Sequence, residues 1–276
     1  MKKRNSFGIF TLVLILSLCG CTQDKIPMSS SSDIQKEQDT LPEAEITPEE
    51  EPFLYGYQNL NEEEKTRYRQ ILAGIENYED SVTVEACSEE EINRVSNLVF
   101  VDHPEIFWLE QQKYSFNQKE NSDVDLLELN LVYNMEKDEI EDTKRQIEAK
   151  AEEWSQELSN CENEYDKIKY VYEFLGKNVL YDSESENNQN IQSVFLNQST
   201  VCMGFAKATQ YLLVRNGIFC TLVTGKVIPE NMEHAWNLVR IGENYYYVDT
   251  TWSSSGFVPE EDSIQDFSYT YLCCTA

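Results

Sequence analysis

One stretch in the second half of this chain combines a helical pattern with two strand patterns. Apolar and small residues recur over residues 202–213 at the spacing of one helix face, and Asn216-Gly217 is a typical helix-ending pair. Residues 234–241 and 245–251 have strand patterns, and Gly242-Glu243-Asn244 between them is typical of a hairpin turn. The stretch therefore predicts a helix followed by two antiparallel strands.

Cys202 opens the predicted helix. The first turn of a helix has unpaired N–H groups and the positive end of the helix dipole, and both favour an anion. They lower the pKa of a thiol, and the thiolate is the nucleophilic form of cysteine. Gly204 leaves the same turn without a bulky side chain, so we expect a substrate backbone to approach closely there.

His234 and Asp249 lie on the two predicted strands. If the turn is centred on Gly242-Glu243, His234 faces Thr251 and Asp249 is its diagonal neighbour on the same face. Diagonal cross-strand pairs are within reach of long side chains. Because a change of one residue in the turn would reverse the facing of every side chain, this pairing depends on the assumed register.

Three short segments in this region resemble the transglutaminase-like superfamily, the papain-related group with Cys, His and Asp in that order. They are residues 201–206 (VCMGFA), 234–237 (HAWN) and 247–252 (YVDTTW). The passage from helix to strand over residues 216–225 is also similar to the family, and the likeness covers about residues 160–272. It implies an α+β fold with a papain/transglutaminase-like core, in which the cysteine helix packs on an antiparallel sheet with the His and Asp.

The resemblance also implies the roles of the site residues. Cys202 would be the nucleophile, His234 the base and Asp249 the carboxylate that orients the imidazole. The backbone N–H of Cys202 would be one oxyanion donor, and the second donor stays open among Tyr181, Gln192 and Gln198. The full set of substrate or oxyanion candidates is Tyr181, Gln192, Gln198, Gly204, Trp236 and Trp252.

The expected activity is acyl transfer from peptide or carboxamide bonds. A cell-surface cysteine peptidase or amidase is the first interpretation, because bacterial proteins of this resemblance are often proteases. A protein-crosslinking transglutaminase, and a surface-tethered binding module without catalysis, stay open as alternatives. Taken singly, a cysteine at a helix start is most often a small buried residue.

No cofactor is expected from this sequence. It has no Gly-rich phosphate loop, no calcium loop and no metal-ligand cluster, and its two histidines are far apart. The formal net charge of −28 argues against nucleic acid as a partner. The expected partners are a peptide or protein substrate and, through a lipid anchor, a membrane.

The N-terminus is typical of an exported lipoprotein. Residues 2–4 are basic, residues 7–18 are apolar, and Cys21 follows in a segment that resembles the bacterial lipobox. We therefore predict a signal peptide over residues 1–20, lipidation of Cys21, and attachment to the outward face of the membrane in the bacterial cell envelope. Residues 21–52 have few large apolar groups and predict a disordered tether.

The remaining chain is divided into an N-terminal α/β region, residues 53–160, and the transglutaminase-like domain, residues 161–276. The first region has capped helix starts near Leu60 and Ser88, and the second ends in a strand-like run. The predicted elements are helices near 60–78, 88–103, 137–160 and 163–181, and strands at 81–86, 114–117, 126–135 and 267–274.

Overall fold

A computed structural model describes residues 41–110, 115–119, 126–229, 231–253 and 267–275. The predicted signal peptide, Cys21 and most of the predicted tether lie outside these residues. No helix in the described ranges is long and apolar enough to span a membrane. The described residues pack around one hydrophobic cluster with side chains from both predicted regions.

Helices and strands are interspersed along the described residues. The helices are α1 (Tyr55–Gln58), α2 (Glu62–Glu76), α3 (Glu89–Asp102), α4 (Lys137–Ser155), α5 (Glu164–Asn178) and α6 (Cys202–Arg215). The strands are β1 (Ser81–Glu85), β2 (Ser115–Lys119), β3 (Leu126–Asn130), β4 (Leu180–Tyr181), β5 (Ser199–Thr200), β6 (Cys220–Val227), β7 (Met232–Ile241) and β8 (Asn244–Val248).

The N-terminal elements form an antiparallel sheet, in the order β1-β3-β2, with α2 and α3 nearby. Both helices begin where the sequence predicts. Asn61 and Glu64 form a reciprocal capping box on α2, and the Ser88 side chain accepts a hydrogen bond from the Glu91 N–H on α3. These contacts satisfy N–H groups that the first helical turn would leave unpaired.

The C-terminal elements confirm the predicted core. Helix α6, which begins at Cys202, packs on the antiparallel sheet β6-β7-β8. Ile241 pairs with Asn244, so the hairpin turn is Gly242-Glu243 as predicted. Asn237 on β7 is buried, and its side-chain N–H donates to the Ala206 carbonyl on α6 at 2.9 Å. The helix and the sheet are therefore joined directly beside Cys202.

A buried carboxylate joins α1 to the end of α3. Asp102 accepts hydrogen bonds from the backbone N–H groups of Gly56 and Tyr57, at 2.7 and 2.8 Å, and from the Tyr68 hydroxyl at 3.0 Å. A Cβ on Gly56 would lie 2.8 Å from an Asp102 carboxylate oxygen, so this close approach requires glycine.

Ordered chain begins earlier than the predicted end of the tether at residue 52. The Ala44 N–H donates to the Arg69 carbonyl at 2.9 Å, and the Arg69 guanidinium donates to Glu43 at 2.8 Å. Ala44 is buried, and Glu51–Phe53 form a short helical turn. This stretch has few large apolar side chains, so hydrogen bonds to α2 hold it in place.

Other boundaries also differ from the sequence prediction. The strand predicted over residues 245–251 ends at Val248, because Thr250–Trp252 form a 3-10 turn capped by Asp249. The strand predicted over residues 126–135 ends at Asn130, and the helix predicted over 137–160 becomes a 3-10 turn after Ser155. The strand predicted at 267–274 is wrong. In that run only isolated bridges occur, because Thr270 and Tyr271 form a turn and the pairing with β8 is restricted to Tyr247 and Cys274.

Candidate active site

Cys202 is the first residue of α6, as the sequence predicts. The N-cap residue is Val201, whose side chain accepts no hydrogen bond. It therefore does not occupy the first N–H groups of the helix. Burial would raise the pKa of the Cys202 thiol, but hydrogen bonds from His234 and from the Ala235 backbone N–H outweigh burial and lower it. The environment therefore favours the thiolate.

His234 and Asp249 are in direct contact. His234 Nε2 lies 2.6 Å from Asp249 Oδ2, and both side chains are nearly buried. A carboxylate can only accept, so Nε2 carries the proton in this bond. Nδ1 is the ring nitrogen left to exchange a proton with Cys202. The hairpin register is as predicted, but the ladder ends at Asn237 and Val248; Asp249 reaches His234 as the N-cap residue of the 3-10 turn Thr250–Trp252 rather than as a paired strand residue.

The second oxygen of Asp249 is also held. Asp249 Oδ1 accepts from the Thr251 backbone N–H at 3.1 Å. With both oxygens bonded, the carboxylate has a fixed orientation towards His234. No residue type indicates this contact in advance, because its donor is a backbone N–H.

The same contacts set the protonation of His234. Burial alone would lower the pKa of the imidazole, but hydrogen bonds to Asp249 and Cys202 raise it to about 9. A lowered thiol pKa beside a raised imidazole pKa favours a thiolate–imidazolium pair near neutral pH. That pair is the reactive form of a cysteine nucleophile.

Two tryptophans lie against the imidazole. The Trp236 ring stacks on His234 with centroids 5.8 Å apart, and Trp252 Nε1 approaches His234 Nε2 to 3.0 Å. Because the Nε2 proton points to Asp249, the indole lies beside that bond and shields it. Gly225 leaves room for the Trp236 ring, because a Cβ at position 225 would lie 2.6 Å from the indole.

The prediction for Gly204 is wrong. Gly204 is buried, and a Cβ at this position would meet Thr200 Oγ1 at 1.9 Å and the Asn188 carbonyl oxygen at 3.1 Å. The glycine therefore accommodates β5 and the preceding loop of the protein itself rather than a substrate backbone. Its place beside Cys202 in sequence could not show this, because the two neighbours belong to other elements.

The three candidates for the second oxyanion donor have different surroundings. Tyr181 on β4 is close enough to Cys202 for their charges to interact, and burial together with this interaction raises the pKa of its phenol. The phenol thus stays protonated and able to donate. Gln198 is exposed at the end of a helical turn, and the Gln192 side chain has a buried oxygen without a partner among the described residues.

A set of contacts holds the Asp249 segment against the rest of the domain. The hydroxyls of Thr209 on α6 and Thr250 lie 2.9 Å apart. The Asp249 backbone N–H donates to the Tyr271 carbonyl at 3.0 Å, and the Tyr172 hydroxyl donates to the Ser268 carbonyl at 2.8 Å. The helix that begins with the nucleophile and the segment after residue 267 therefore both fix the carboxylate. Sequence reasoning missed these residues.

The other described cysteines have the opposite electrostatic character. Burial raises the pKa of the Cys220 thiol well above its usual range and that of Cys273 to about 11. Burial is also the main reason that the pKa values of Cys87, Cys161 and Cys274 are raised. Of the six cysteines in the described ranges, Cys202 is thus the one with a lowered pKa. No group of three or more His, Cys, Asp or Glu side chains within those ranges could hold a metal ion.

Comparison with known proteins identifies this region. Residues 152–250 match the family model described as the transglutaminase-like superfamily. The match contains Cys202, His234 and Asp249, in the fold just described. This part of the chain is therefore a domain of the transglutaminase-like superfamily, as the resemblance of its motifs implies.

Individual relatives are more distant. The kyphoscoliosis peptidase of Mus musculus is 24% identical over an alignment of 127 residues, and the alignment covers 41% of this chain and 19% of that protein. The chain therefore spans less than a fifth of this relative.

Solved structures give weaker likenesses. A crystal structure of a TGase is 17% identical with a TM-score of 0.37, covering 57% of this chain and 47% of that one. A candidate cysteine protease from Cytophaga hutchinsonii is 17% identical with a TM-score of 0.35, covering 51% and 62%. TM-scores this low do not establish a relationship, so the family assignment stands on the match over residues 152–250.

Proposed function

We propose that this protein is a thiol acyl-transfer enzyme acting on peptide or carboxamide bonds, with Cys202, His234 and Asp249 as its catalytic triad. The observation that carries the proposal is the combination of a thiol with a lowered pKa and an imidazole held 2.6 Å from a buried carboxylate. A histidine with only a structural role would not need to lie between a thiol and a carboxylate. The domain assignment supports the same chemistry.

The proposed reaction has two halves. The Cys202 thiolate attacks the carbonyl carbon, and the negative charge that develops on the oxygen is stabilised by the Cys202 backbone N–H and the Tyr181 phenol. The His234 imidazolium donates its proton to the leaving amine, which leaves an acyl thioester. Water or a second amine then attacks the thioester, His234 takes the proton of that nucleophile, and the thiolate is released.

Hydrolysis is the favoured outcome, so the protein is proposed to be a cysteine peptidase or amidase. The name of one relative, a peptidase, supports this choice. A crosslinking transglutaminase would use the same thioester and differ only in the second nucleophile. A binding module would need neither a reactive thiol nor an oriented imidazole.

Cys202 is expected to be alkylated faster than the other described cysteines when the folded protein is treated with limiting iodoacetamide at about pH 6. At that pH a cysteine of ordinary pKa is almost entirely protonated, whereas the imidazolium keeps Cys202 as thiolate. We expect the rate at Cys202 to exceed that at the partly exposed Cys274 by at least about tenfold. Peptide mapping by mass spectrometry locates and quantifies each adduct.

Two variants make this experiment decisive. His234→Ala should abolish the selectivity, and Met232→Ala, an exposed position on the same strand, should keep it. Circular dichroism and thermal melting show whether each variant is folded. If Cys202 in the folded native chain reacts no faster than Cys274, the enzyme proposal fails and the binding module replaces it.

We also propose that the protein is anchored in the cell envelope by a lipid on Cys21, after removal of residues 1–20. The basic and apolar leader before Cys21 supports this location. The substrate would then be a protein or peptide of the envelope, and the high negative charge makes nucleic acid an unsuitable partner.

Cys21→Ala should release the protein from the membrane fraction of expressing cells. Alanine has no thiol that can carry a lipid, so the anchor is lost. Immunoblotting of membrane and soluble fractions measures the distribution, with Ser29→Ala as the matched control in the same segment. Membrane retention of Cys21→Ala equal to that of the control would rule out the anchor.

A further inference from the structure

The 3-10 turn Thr250–Trp252 determines where the Asp249 carboxylate lies. Asp249 is beyond the last pair of the β7–β8 ladder, so strand pairing with β7 does not reach it. The contact between Asp249 and His234 therefore depends on what holds this turn in place.

Thr250 joins the turn to α6 through its side chain. Its hydroxyl oxygen lies 2.9 Å from that of Thr209, and the two residues are 2% and 1% exposed. The Thr209 hydroxyl also lies 2.8 Å from the Phe205 carbonyl oxygen, which can only accept. Because a hydroxyl has one proton, Thr209 donates to Phe205 and Thr250 donates to Thr209. The hydrogen bonds thus run in series from the turn into the helix.

The other side of the turn is held against α5. The Thr250 carbonyl accepts from the Ser253 hydroxyl at 2.7 Å, and Ser253 is fully buried. A Cβ on Gly176 of α5 would overlap Ser253 Oγ, so helix and turn are in close contact. The turn therefore lies between two helices, and the hydroxyl pair sets its approach to α6.

Thr209 is on the same face of α6 as Cys202. It comes seven residues later in the helix, which is nearly two turns and about 10 Å along the axis. The helix thus acts as a rigid spacer between the nucleophile and the hydroxyl pair. His234, which contacts both Cys202 and Asp249, lies between the two groups that this spacer relates.

A hydroxyl pair holds the turn closer to α6 than an apolar contact would. Two carbon atoms pack at about 3.5–4.0 Å, whereas these two oxygens are 2.9 Å apart. A displacement of that order would lengthen the 2.6 Å contact between Asp249 and His234 beyond the usual hydrogen-bond range of about 2.7–3.2 Å.

We propose that Thr209 and Thr250 are positioning residues of the candidate active site, whose hydrogen bond ties the turn after Asp249 to α6 and keeps the carboxylate against His234. They act through Asp249 and take no part in proton transfer. Their role in catalysis rests on the proposed acyl transfer, but their effect on His234 can be measured without a substrate.

The NMR signals of the His234 ring report its contact with Asp249. The chain has two histidines, so selective labelling gives two sets of ring signals, and His103→Gln assigns them. Asp249 and Cys202 are the groups that raise the pKa of His234, to about 9. A looser contact with Asp249 should lower this pKa, and the titration of His103 is an internal reference.

Thr209→Val/Thr250→Val is the decisive variant. It replaces both partners by apolar groups of the same shape, so no buried hydroxyl is left unpaired and the melting temperature should change little. We expect the pKa of His234 to fall by at least about 0.5. For a peptide substrate found by library screening, kcat/KM should fall about 10- to 100-fold. Either single valine variant applies the same test if the double variant does not fold.

Two kinds of control accompany this variant. Thr209→Ser and Thr250→Ser keep the hydroxyls and should retain the native pKa of His234. Thr221→Val removes a hydroxyl from β6 that is equally buried, at 2% exposure, and has no hydrogen-bond partner among the described residues. It should leave both the pKa and the rate unchanged.

The outcomes separate positioning from a purely structural role. A lower His234 pKa in the folded valine variants, with native values in the serine variants and in Thr221→Val, supports the proposal. An unchanged His234 pKa in the folded double variant, or an equal fall in Thr221→Val, overturns it. If Cys202 of the native chain is not alkylated selectively, the acyl transfer fails, whereas the His234 titration still tests the hydroxyl pair.

Discussion

Asp249→Asn is expected to reduce the rate of acyl transfer by about 10³- to 10⁴-fold while the fold is kept. The amide has nearly the volume of the carboxylate, so the packing around residue 249 changes little. It can, however, donate to His234 Nε2, which would place the imidazole proton on Nδ1 and direct it at Cys202. The imidazolium would also lose its counter-charge. Turnover of a peptide substrate, found by library screening, measures the effect.

The pH profile gives a second readout of the same variant. The reactive ion pair is lost when His234 deprotonates, so the high-pH limb of kcat/KM should fall near the His234 pKa of about 9. Because the Asp249 hydrogen bond raises this pKa, its removal should move the limb to lower pH. A purely structural role for Asp249 would leave the limb in place.

Asp142→Asn is the matched control for this prediction, because Asp142 is an exposed carboxylate on α4. It should keep the rate and the pH profile of the native protein. Near-normal turnover in folded Asp249→Asn would remove Asp249 from the proposed triad, and the contact with His234 would then have a structural role only.

Asp102→Ala is expected to lower the free energy of unfolding by about 3–5 kcal/mol. The change leaves three donors without an acceptor: the backbone N–H groups of Gly56 and Tyr57, and the Tyr68 hydroxyl. All three are buried, so water cannot replace the carboxylate without rearrangement. Urea unfolding followed by circular dichroism measures the loss.

Asp102→Asn separates the hydrogen bonds from the charge. The amide keeps one acceptor oxygen, so we expect a smaller loss than for alanine. Burial raises the pKa of Asp102 above its unfolded value. The stability that this group contributes is thus fully present below the unfolded pKa and lost as pH rises through the folded pKa. The stability of the native protein relative to Asp102→Asn should therefore fall as pH rises through this range, and an advantage that grows with pH would contradict the assignment.

Local chemistry made much of the site predictable. The pair Gly242-Glu243 sets the hairpin register, which pairs Asn237 with Val248 and so brings the start of β7 close to Asp249, the residue after β8. Cys202 could be placed at a helix start because the apolar spacing and Asn216-Gly217 define both ends of α6. The capped starts of α2 and α3 follow from side chains within four residues of each other.

What the sequence did not predict depends on contacts between distant segments. Gly204 was misassigned because Thr200 and Asn188 approach it only in the folded domain. Residues 41–53 are polar in composition, but their order comes from Arg69 on α2.

The contacts of the chain after residue 267 bear on when the protein becomes reactive. The Asp249 N–H donates to the Tyr271 carbonyl, and Tyr247 is bridged to Cys274. During synthesis the chain emerges from its N-terminus, so Cys202 and His234 leave the ribosome well before these supports. These contacts with Asp249 and Tyr247 can therefore form only after the rest of the proposed triad has been synthesised.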